Sequence, residues 1–182
     1  MTRVIAGTAK GRVLKVPKTG TRPTSSKMRE ALFSKLESWG VVQGARVLDL
    51  FAGSGALAIE ALSRGAASAS LVEISRQSAR IVKDNLQLCG MNARVSVMDA
   101  AKFTSDEVFD LVFLDPPYDW PESQWQLVFD HLLGMVSPDA VIVAERSRRS
   151  EVLELPDGLE IEQSRTFGDS ALYFIAPVRS ET

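Results

Sequence analysis

The most specific chemistry in the sequence lies in a rigid corner that is rich in hydrogen-bond acceptors. Asp115-Pro-Pro-Tyr118 directly follows an apolar run that is typical of a buried strand. The two prolines fix the backbone and remove two N–H donors, which leaves the Asp115 carboxylate and nearby carbonyl groups as acceptors. Such a corner can accept both hydrogens of an exocyclic amine, turn the nitrogen lone pair outward and stack a ring on a base. The predicted catalytic residues are Asp115, Pro116, Pro117 and Tyr118.

A glycine-rich turn between a strand and a helix predicts a ligand-binding loop. Gly53 and Gly55 allow a ligand to approach the backbone closely, and the start of a helix offers free N–H groups. The spacing of these glycines to Ala58, with Glu73 about 20 residues on, also fits a dinucleotide fingerprint. Asp49 favours a cationic ligand such as S-adenosylmethionine instead, because a carboxylate beside a pyrophosphate is unfavourable.

Two further acids close predicted strands, where ligands bind in open α/β sheets. Glu73 can accept the two hydroxyls of a ribose, and Asp99 can accept a hydrogen from the amine of an adenine. Each of them is also compatible with an ordinary surface acid, but their shared placement at strand ends favours a binding role. The predicted cofactor-binding residues are Asp49, Phe51, Ala52, Gly53, Ser54, Gly55, Glu73, Ile74, Asp99, Ala100 and Asp115.

Alternating strand and helix patterns must position these residues. The predicted strands are Val47–Phe51, Ala69–Glu73, Ala93–Val97, Phe109–Leu114 and Ala140–Ala144. The predicted helices are Gly55–Arg64, Arg76–Leu88 and Gln124–Met135. This order predicts an α/β fold with a mostly parallel sheet and helices on both faces. Leu159–Thr166 and Ala171–Ala176 flank a turn and predict a C-terminal antiparallel hairpin.

A basic arm precedes the alternating region. Residues 1–35 contain nine basic residues and one acidic residue, although the net charge of the chain is −2. Glycines and apolar residues are interleaved with these charges, which favours a nucleic-acid partner over a solvated tail. The predicted RNA contacts are Arg3, Lys10, Arg12, Lys15, Lys18, Arg22, Lys27 and Arg29 in the arm, and Arg146, Arg148 and Arg149 after the fifth strand.

The arm has its own predicted elements. Arg3–Gly7 and Gly11–Val16 predict two short strands, and Thr24 or Ser25 can cap a helix that ends at Gly40. We therefore predict two parts. Residues 1–40 form a basic extension, a β-hairpin with a linking helix, and residues 41–182 form a cofactor-binding catalytic domain.

The composition excludes several other classes of protein. The single cysteine, Cys89, excludes an intramolecular disulfide and favours a reducing compartment. With His131 as the only histidine, no common zinc-ligand spacing is present, and we expect no metal. The chain has no P-loop and no Gly-x-Ser-x-Gly elbow. It has no signal-peptide pattern and no run of about 20 apolar residues, so we expect a cytoplasmic protein without membrane association.

Taken together, the motifs resemble those of a known family. Asp49–Gly55, Glu73, Asp99 and Asp115–Tyr118 resemble the class I S-adenosylmethionine-dependent amino-methyltransferases, whose sheet is Rossmann-like. Four segments narrow the resemblance to the RsmD-type 16S ribosomal RNA guanine-N2 methyltransferases: Arg3–Gly7, Gly11-Arg12, Arg22–Phe33 and Phe167–Asp169. The resemblance spans nearly the whole chain.

The resemblance implies methylation of the guanine at nucleotide 966 of 16S ribosomal RNA, in the small ribosomal subunit or a late assembly intermediate. S-adenosylmethionine would be the methyl donor and S-adenosylhomocysteine the product, and we expect the enzyme to be a monomer. Three alternatives remain open: an adenine-N6 methyltransferase of DNA or RNA, an NAD-dependent dehydrogenase, and a non-catalytic RNA-binding module.

Overall fold

The computed structural model describes residues 1–18 and 24–180, which form nine strands and four α-helices. The strands are β1 (Thr2–Arg3), β2 (Val13–Leu14), β3 (Arg46–Asp49), β4 (Ser68–Glu73), β5 (Arg94–Val97), β6 (Phe109–Leu114), β7 (Val136–Ser147), β8 (Leu159–Phe167) and β9 (Ser170–Pro177). The helices are α1 (Ser26–Ser38), α2 (Ala56–Ser63), α3 (Arg76–Leu88) and α4 (Glu122–Leu133). No helix within these described ranges combines the length and the apolar character needed to cross a bilayer.

Seven strands form the central sheet in the order β5-β4-β3-β6-β7-β9-β8. β3 to β7 are parallel, whereas β9 runs antiparallel to both β7 and β8. The predicted α/β fold, with a mostly parallel sheet and a C-terminal antiparallel hairpin, is confirmed. The strand order reverses between β3 and β6, and ligands of open α/β sheets bind at such a switch point.

The alternation of side chains along each strand divides the core into two layers. In β6, Phe113 faces the layer built with α1, α2 and α3, whereas Val112 and Leu114 face the layer built with α4. All three are at most 1% exposed. A parallel strand that is covered on both faces must be largely apolar, which is why β6 appears as an apolar run in the sequence.

The hairpin of the arm is shorter than its sequence pattern predicts, because β1 and β2 have two residues each. The predicted capping of α1 is confirmed at Ser25, whose side chain accepts a hydrogen bond from the N–H of Met28 at 3.1 Å. Gly40, just beyond the helix, has a φ of +70°. That left-handed conformation favours glycine and ends the helix where the sequence predicts.

A buried carboxylate holds the arm on the sheet layer. Glu60, on α2, accepts hydrogen bonds from the backbone N–H groups of Ile5 at 2.8 Å and Ala6 at 3.1 Å. The same carboxylate pairs with Arg29 at 3.4 Å and with Arg64 at 3.0 Å. The apolar residues of the arm share one core cluster with the parallel strands. The predicted boundary between the extension and the catalytic domain at residue 40 stays a prediction. The two parts share one core cluster.

Candidate active site

A cavity of about 610 Å³ opens at the carboxyl ends of the parallel strands. This volume is in the usual range for a small-molecule site. The residues that line it from the predicted cofactor set are Asp49, Phe51, Ala52, Gly53, Ser54, Glu73, Ile74, Asp99, Ala100 and Asp115. The predicted catalytic residues Pro116, Pro117 and Tyr118 line the same cavity. The structure therefore brings two predicted sets to one place, and their roles stay predictions.

The glycine turn after β3 depends on backbone conformations that glycine adopts readily. Gly53 has a φ of +58° and Gly55 a φ of +84°, and both values are in the left-handed region. Gly55 is the N-cap of α2 and does not line the cavity. A Cβ atom at Gly55 would lie 3.4 Å from side-chain atoms of Ile59 and Val82. Gly55 therefore faces the core and contributes to the shape of the turn without lining the cavity.

The Glu73 carboxylate is fixed at the end of β4. Its Oε2 accepts a hydrogen bond from the N–H of Gly53 at 2.9 Å, and its Oε1 accepts one from the N–H of Ser75 at 3.2 Å. Each carboxylate oxygen can accept a second hydrogen bond, so both can still bind the hydroxyls of a ligand. This arrangement is compatible with the predicted ribose contact. It also couples Glu73 to the glycine turn.

Asp49 is a buried anion that faces the cavity. Its side chain is 2% exposed, and its Oδ1 accepts a hydrogen bond from the N–H of Phe51 at 3.1 Å. Within residues 1–18 and 24–180, no ion pair involves Asp49. Burial raises the pKa of this carboxyl to about 7, the hydrogen bond from Phe51 opposes the rise, and the nearby charge of Glu73 adds to it. A cationic ligand would stabilise the ionised form.

The affinity for a cationic ligand should therefore depend on pH through Asp49. Only the ionised carboxylate attracts the cation, so the affinity for S-adenosylmethionine should fall by up to about tenfold for each pH unit below about 7. In the Asp49→Asn variant the affinity should be weaker, and this pH dependence should be lost. Titration calorimetry between about pH 5.5 and 8 measures both. A wild-type affinity that is constant over this range would contradict the assignment.

The Asp99 carboxylate is placed by the turn that follows β5. Its Oδ1 accepts a hydrogen bond from the N–H of Ala101 at 2.9 Å and caps the short 3₁₀ helix Ala100–Lys102. Because the cap fixes the side chain at the cavity wall, Asp99 is compatible with the predicted adenine contact.

The Asp115–Tyr118 corner is linked to β9 by a hydrogen bond. The hydroxyl groups of Tyr118 and Ser170, at the start of β9, are 2.9 Å apart and share a hydrogen bond. The Tyr118 side chain is nevertheless 46% exposed. An anchored ring with an open surface can stack on a base. Pro116 is buried and the two prolines fix the backbone, so the corner has little freedom to move.

The two tryptophans after this corner have different positions. Trp120 lines the cavity and packs edge-to-face on Phe51, with ring centroids 5.0 Å apart. Trp125, on α4, is 3% exposed and belongs to the core. From the sequence alone, each of these tryptophans could cap the cavity or pack in the core, and burial decides between the two interpretations.

Eight of the predicted RNA contacts are exposed side chains. They are Arg3, Lys10, Arg12, Lys15, Lys18, Lys27, Arg148 and Arg149. Arg22 lies outside the described residues. Six of these residues are in the arm, and Arg148 and Arg149 directly follow β7. RNA binding by these residues stays a prediction.

Burial corrects the other two predicted RNA contacts. Arg29 is 1% exposed and pairs with Glu60, so it holds the arm rather than a phosphate. Arg146 is 6% exposed, pairs with Glu122, and lies 5.3 Å over the ring of Trp125. β7 continues to Ser147, beyond its predicted end at Ala144, so Arg146 alternates inward as a strand residue.

Glu145 is a cavity residue that sequence reasoning missed. It directly follows the apolar run that ends at Ala144, so it carries the same signal that identified Glu73 and Asp99. With it, each of the five parallel strands contributes one acid to the cavity. The cavity wall is therefore strongly acidic, as a cationic ligand or an N–H donor requires.

Comparison with known proteins identifies relatives along nearly the whole chain. A family model described as conserved hypothetical protein 95 matches residues 2–176. YlbH of Bacillus subtilis (strain 168) is 38% identical over 174 residues, covering 91% of this chain and 94% of that protein. Ribosomal RNA small subunit methyltransferase D of Escherichia coli (strain K12) is 36% identical over 175 residues, covering 93% and 86%. The solved structure of yhhF from Escherichia coli has a TM-score of 0.84 and 35% identity, covering 97% of each chain.

Proposed function

The chain belongs to the family described as conserved hypothetical protein 95, and from this we propose that it methylates the exocyclic N2 amine of a guanine in small-subunit ribosomal RNA. Ribosomal RNA methyltransferase activity is supported by the names of its relatives. We propose nucleotide 966 as the target. The observation that carries the finer proposal is the cavity itself. There the amine-accepting corner at Asp115 lies beside the acidic wall of Asp49, Glu73 and Asp99.

The residues of the cavity fit S-adenosylmethionine. Asp49 is a buried carboxylate without a cationic partner in the described residues, and the cofactor carries a sulfonium and an ammonium group. Glu73 and Asp99 keep acceptor positions for ribose hydroxyls and an adenine amine. When bound, the cofactor would supply a methyl group to the amine by in-line displacement, with S-adenosylhomocysteine as the leaving group.

The corner positions the guanine amine for this transfer. The Asp115 carboxylate and the Pro116 carbonyl accept the two N2 hydrogens, which directs the nitrogen lone pair toward the cofactor side of the cavity. Tyr118, held through Ser170, stacks on the base. No strong base is needed, because the methylated amine releases its proton readily to water. The work of the enzyme is therefore positioning, which alone can supply a large part of a rate enhancement.

The basic arm forms one wall of the cavity and offers charges to the RNA backbone. Thr2, Val16, Pro17 and Thr24 line the cavity from the arm side. Exposed cations such as Lys10 and Arg12 on the same arm can neutralise RNA phosphates. In this proposal a monomer binds the small subunit or a late assembly intermediate, with the extension 1–40 gripping RNA beside the domain 41–182.

Transfer of radiolabel from S-adenosylmethionine tests the proposed function. The acceptors are small ribosomal subunits from a strain that lacks this gene, and nuclease digestion maps the label. We expect label in one guanine, as N2-methylguanine, and none in subunits from the parent strain, which are already methylated. Label in an adenine would instead support the adenine-N6 alternative. Cofactor binding without any label would discard this substrate, and free RNA, DNA and protein would then be tested as acceptors.

A further inference from the structure

The Glu145 carboxylate lies in the cavity wall without a partner. Its side chain is half-buried, and no hydrogen bond or ion pair involves the carboxylate anywhere in residues 1–18 and 24–180. Three of the other acids of the wall, Asp49, Glu73 and Asp99, each accept a hydrogen bond from a backbone N–H. Partial burial of an unpaired carboxylate is unfavourable, and a donor on a ligand would offset that cost.

The sheet register places Glu145 beside Asp115. Leu114, the last residue of β6, is paired with Ala144 of β7, and Asp115 and Glu145 directly follow this pair. Residues in register on neighbouring strands point to the same face and lie about 5 Å apart. Both acids line the cavity. If Asp115 holds the exocyclic amine of a base, the ring nitrogen beside that amine can lie next to Glu145.

The edge of guanine matches a pair of adjacent acceptors. Beside its N2 amine, guanine carries an N1–H donor, whereas adenine carries a lone pair on the ring nitrogen beside its amine. A carboxylate at that position accepts a hydrogen bond from guanine and repels the lone pair of adenine. Discrimination of this kind is strong, because the wrong base leaves a buried acceptor unpaired.

We propose that Glu145 accepts the N1–H of the target guanine and thereby selects guanine over bases with a lone pair at that position. The inference rests on the proposed function, since it requires the N2 amine to be held at Asp115. It adds a specificity-determining residue at β7 to the catalytic corner at β6.

The test uses 2-aminopurine, which keeps the N2 amine, replaces N1–H by a lone pair and replaces the C6 carbonyl by C–H; the ratio in Glu145→Gln separates the N1 contact from any contact to the carbonyl. The RNA substrate identified by the labelling experiment is prepared with guanine or 2-aminopurine at the target position. For the wild type, we expect kcat/KM to be roughly 100-fold higher with guanine. In Glu145→Gln, the amide can accept from N1–H or donate to the lone pair, so this ratio should fall to within about tenfold of one.

Glu151→Gln is the matched control, because Glu151 lines only an adjoining cavity of about 190 Å³. That variant should keep the wild-type ratio. Equal wild-type rates on the two substrates, or an unchanged ratio in Glu145→Gln, would overturn the role of Glu145 while guanine methylation stands. If the wild type does not methylate guanine at all, the proposed function fails and the inference fails with it. Equal wild-type rates would overturn the role of Glu145 even if Glu145→Gln does not fold.

Discussion

The Asp115→Asn variant should transfer methyl groups about 10²–10³-fold more slowly than the wild type. Asparagine keeps the size of the side chain but replaces one carboxylate oxygen by an NH₂ group. That donor opposes the N2 amine of the substrate, so the corner loses an acceptor at the point where the nitrogen must be oriented. Single-turnover methylation with saturating S-adenosylmethionine measures the rate of the chemical step.

Asp119→Asn provides the matched control for this prediction. Asp119 is an exposed acid in the same loop and does not line the cavity. Its replacement should leave the rate within about twofold of the wild type, as is usual for a surface substitution. If Asp115→Asn folds normally and keeps more than about half of the wild-type rate, the carboxylate does not hold the amine.

The Glu60→Gln variant should lose about 3–5 kcal/mol of unfolding free energy. Glu60 is fully buried, and its replacement leaves the Arg29 guanidinium, 1% exposed, without its counter-charge. Burial already lowers the pKa of Arg29, and the charge of Glu60 opposes that change. The variant also weakens the hydrogen bonds that the backbone of the arm donates to this carboxylate. Urea denaturation measures the loss.

Glu37→Gln is the control for the buried network. Glu37 pairs with Arg64 at 3.5 Å, as Glu60 does at 3.0 Å, but its side chain is 47% exposed. An exposed ion pair contributes about 0–1 kcal/mol, so this variant should be nearly as stable as the wild type. Equal losses in the two variants would show that burial does not set the strength of the Glu60 network.

The Glu60 network also connects the stability of the arm to the site. Thr2 and Val16, on the two sides of the hairpin, line the cavity, and Glu60 holds the backbone between them. Lys15 is held in a similar way, because Asn85 accepts from its N–H at 2.8 Å and donates to its carbonyl at 2.9 Å. A partial loss of arm docking should therefore weaken cofactor binding before the chain unfolds.

The sequence by itself determined the fold class and most of the acidic wall. Each parallel strand has an apolar stretch with an acid at its end or shortly after it, so Asp49, Glu73, Asp99 and Asp115 were identifiable from their neighbours. The glycines at 53 and 55 were identifiable for a similar reason, since a tight turn from strand to helix needs backbone conformations that other residues disfavour. These signals are local, and a local pattern is enough to identify them.

Only the tertiary structure decided which charges are buried and which acids are neighbours. Arg29 and Arg146 stand in basic stretches that predict RNA binding. In the fold, however, they pair with Glu60 and Glu122, which are distant from them in the sequence. β9 inserts between β7 and β8, and this long-range pairing extends β7 beyond its apolar run. The pairing of β6 with β7 then sets Glu145 beside Asp115. Burial and register depend on contacts between distant segments, which no local sequence pattern encodes.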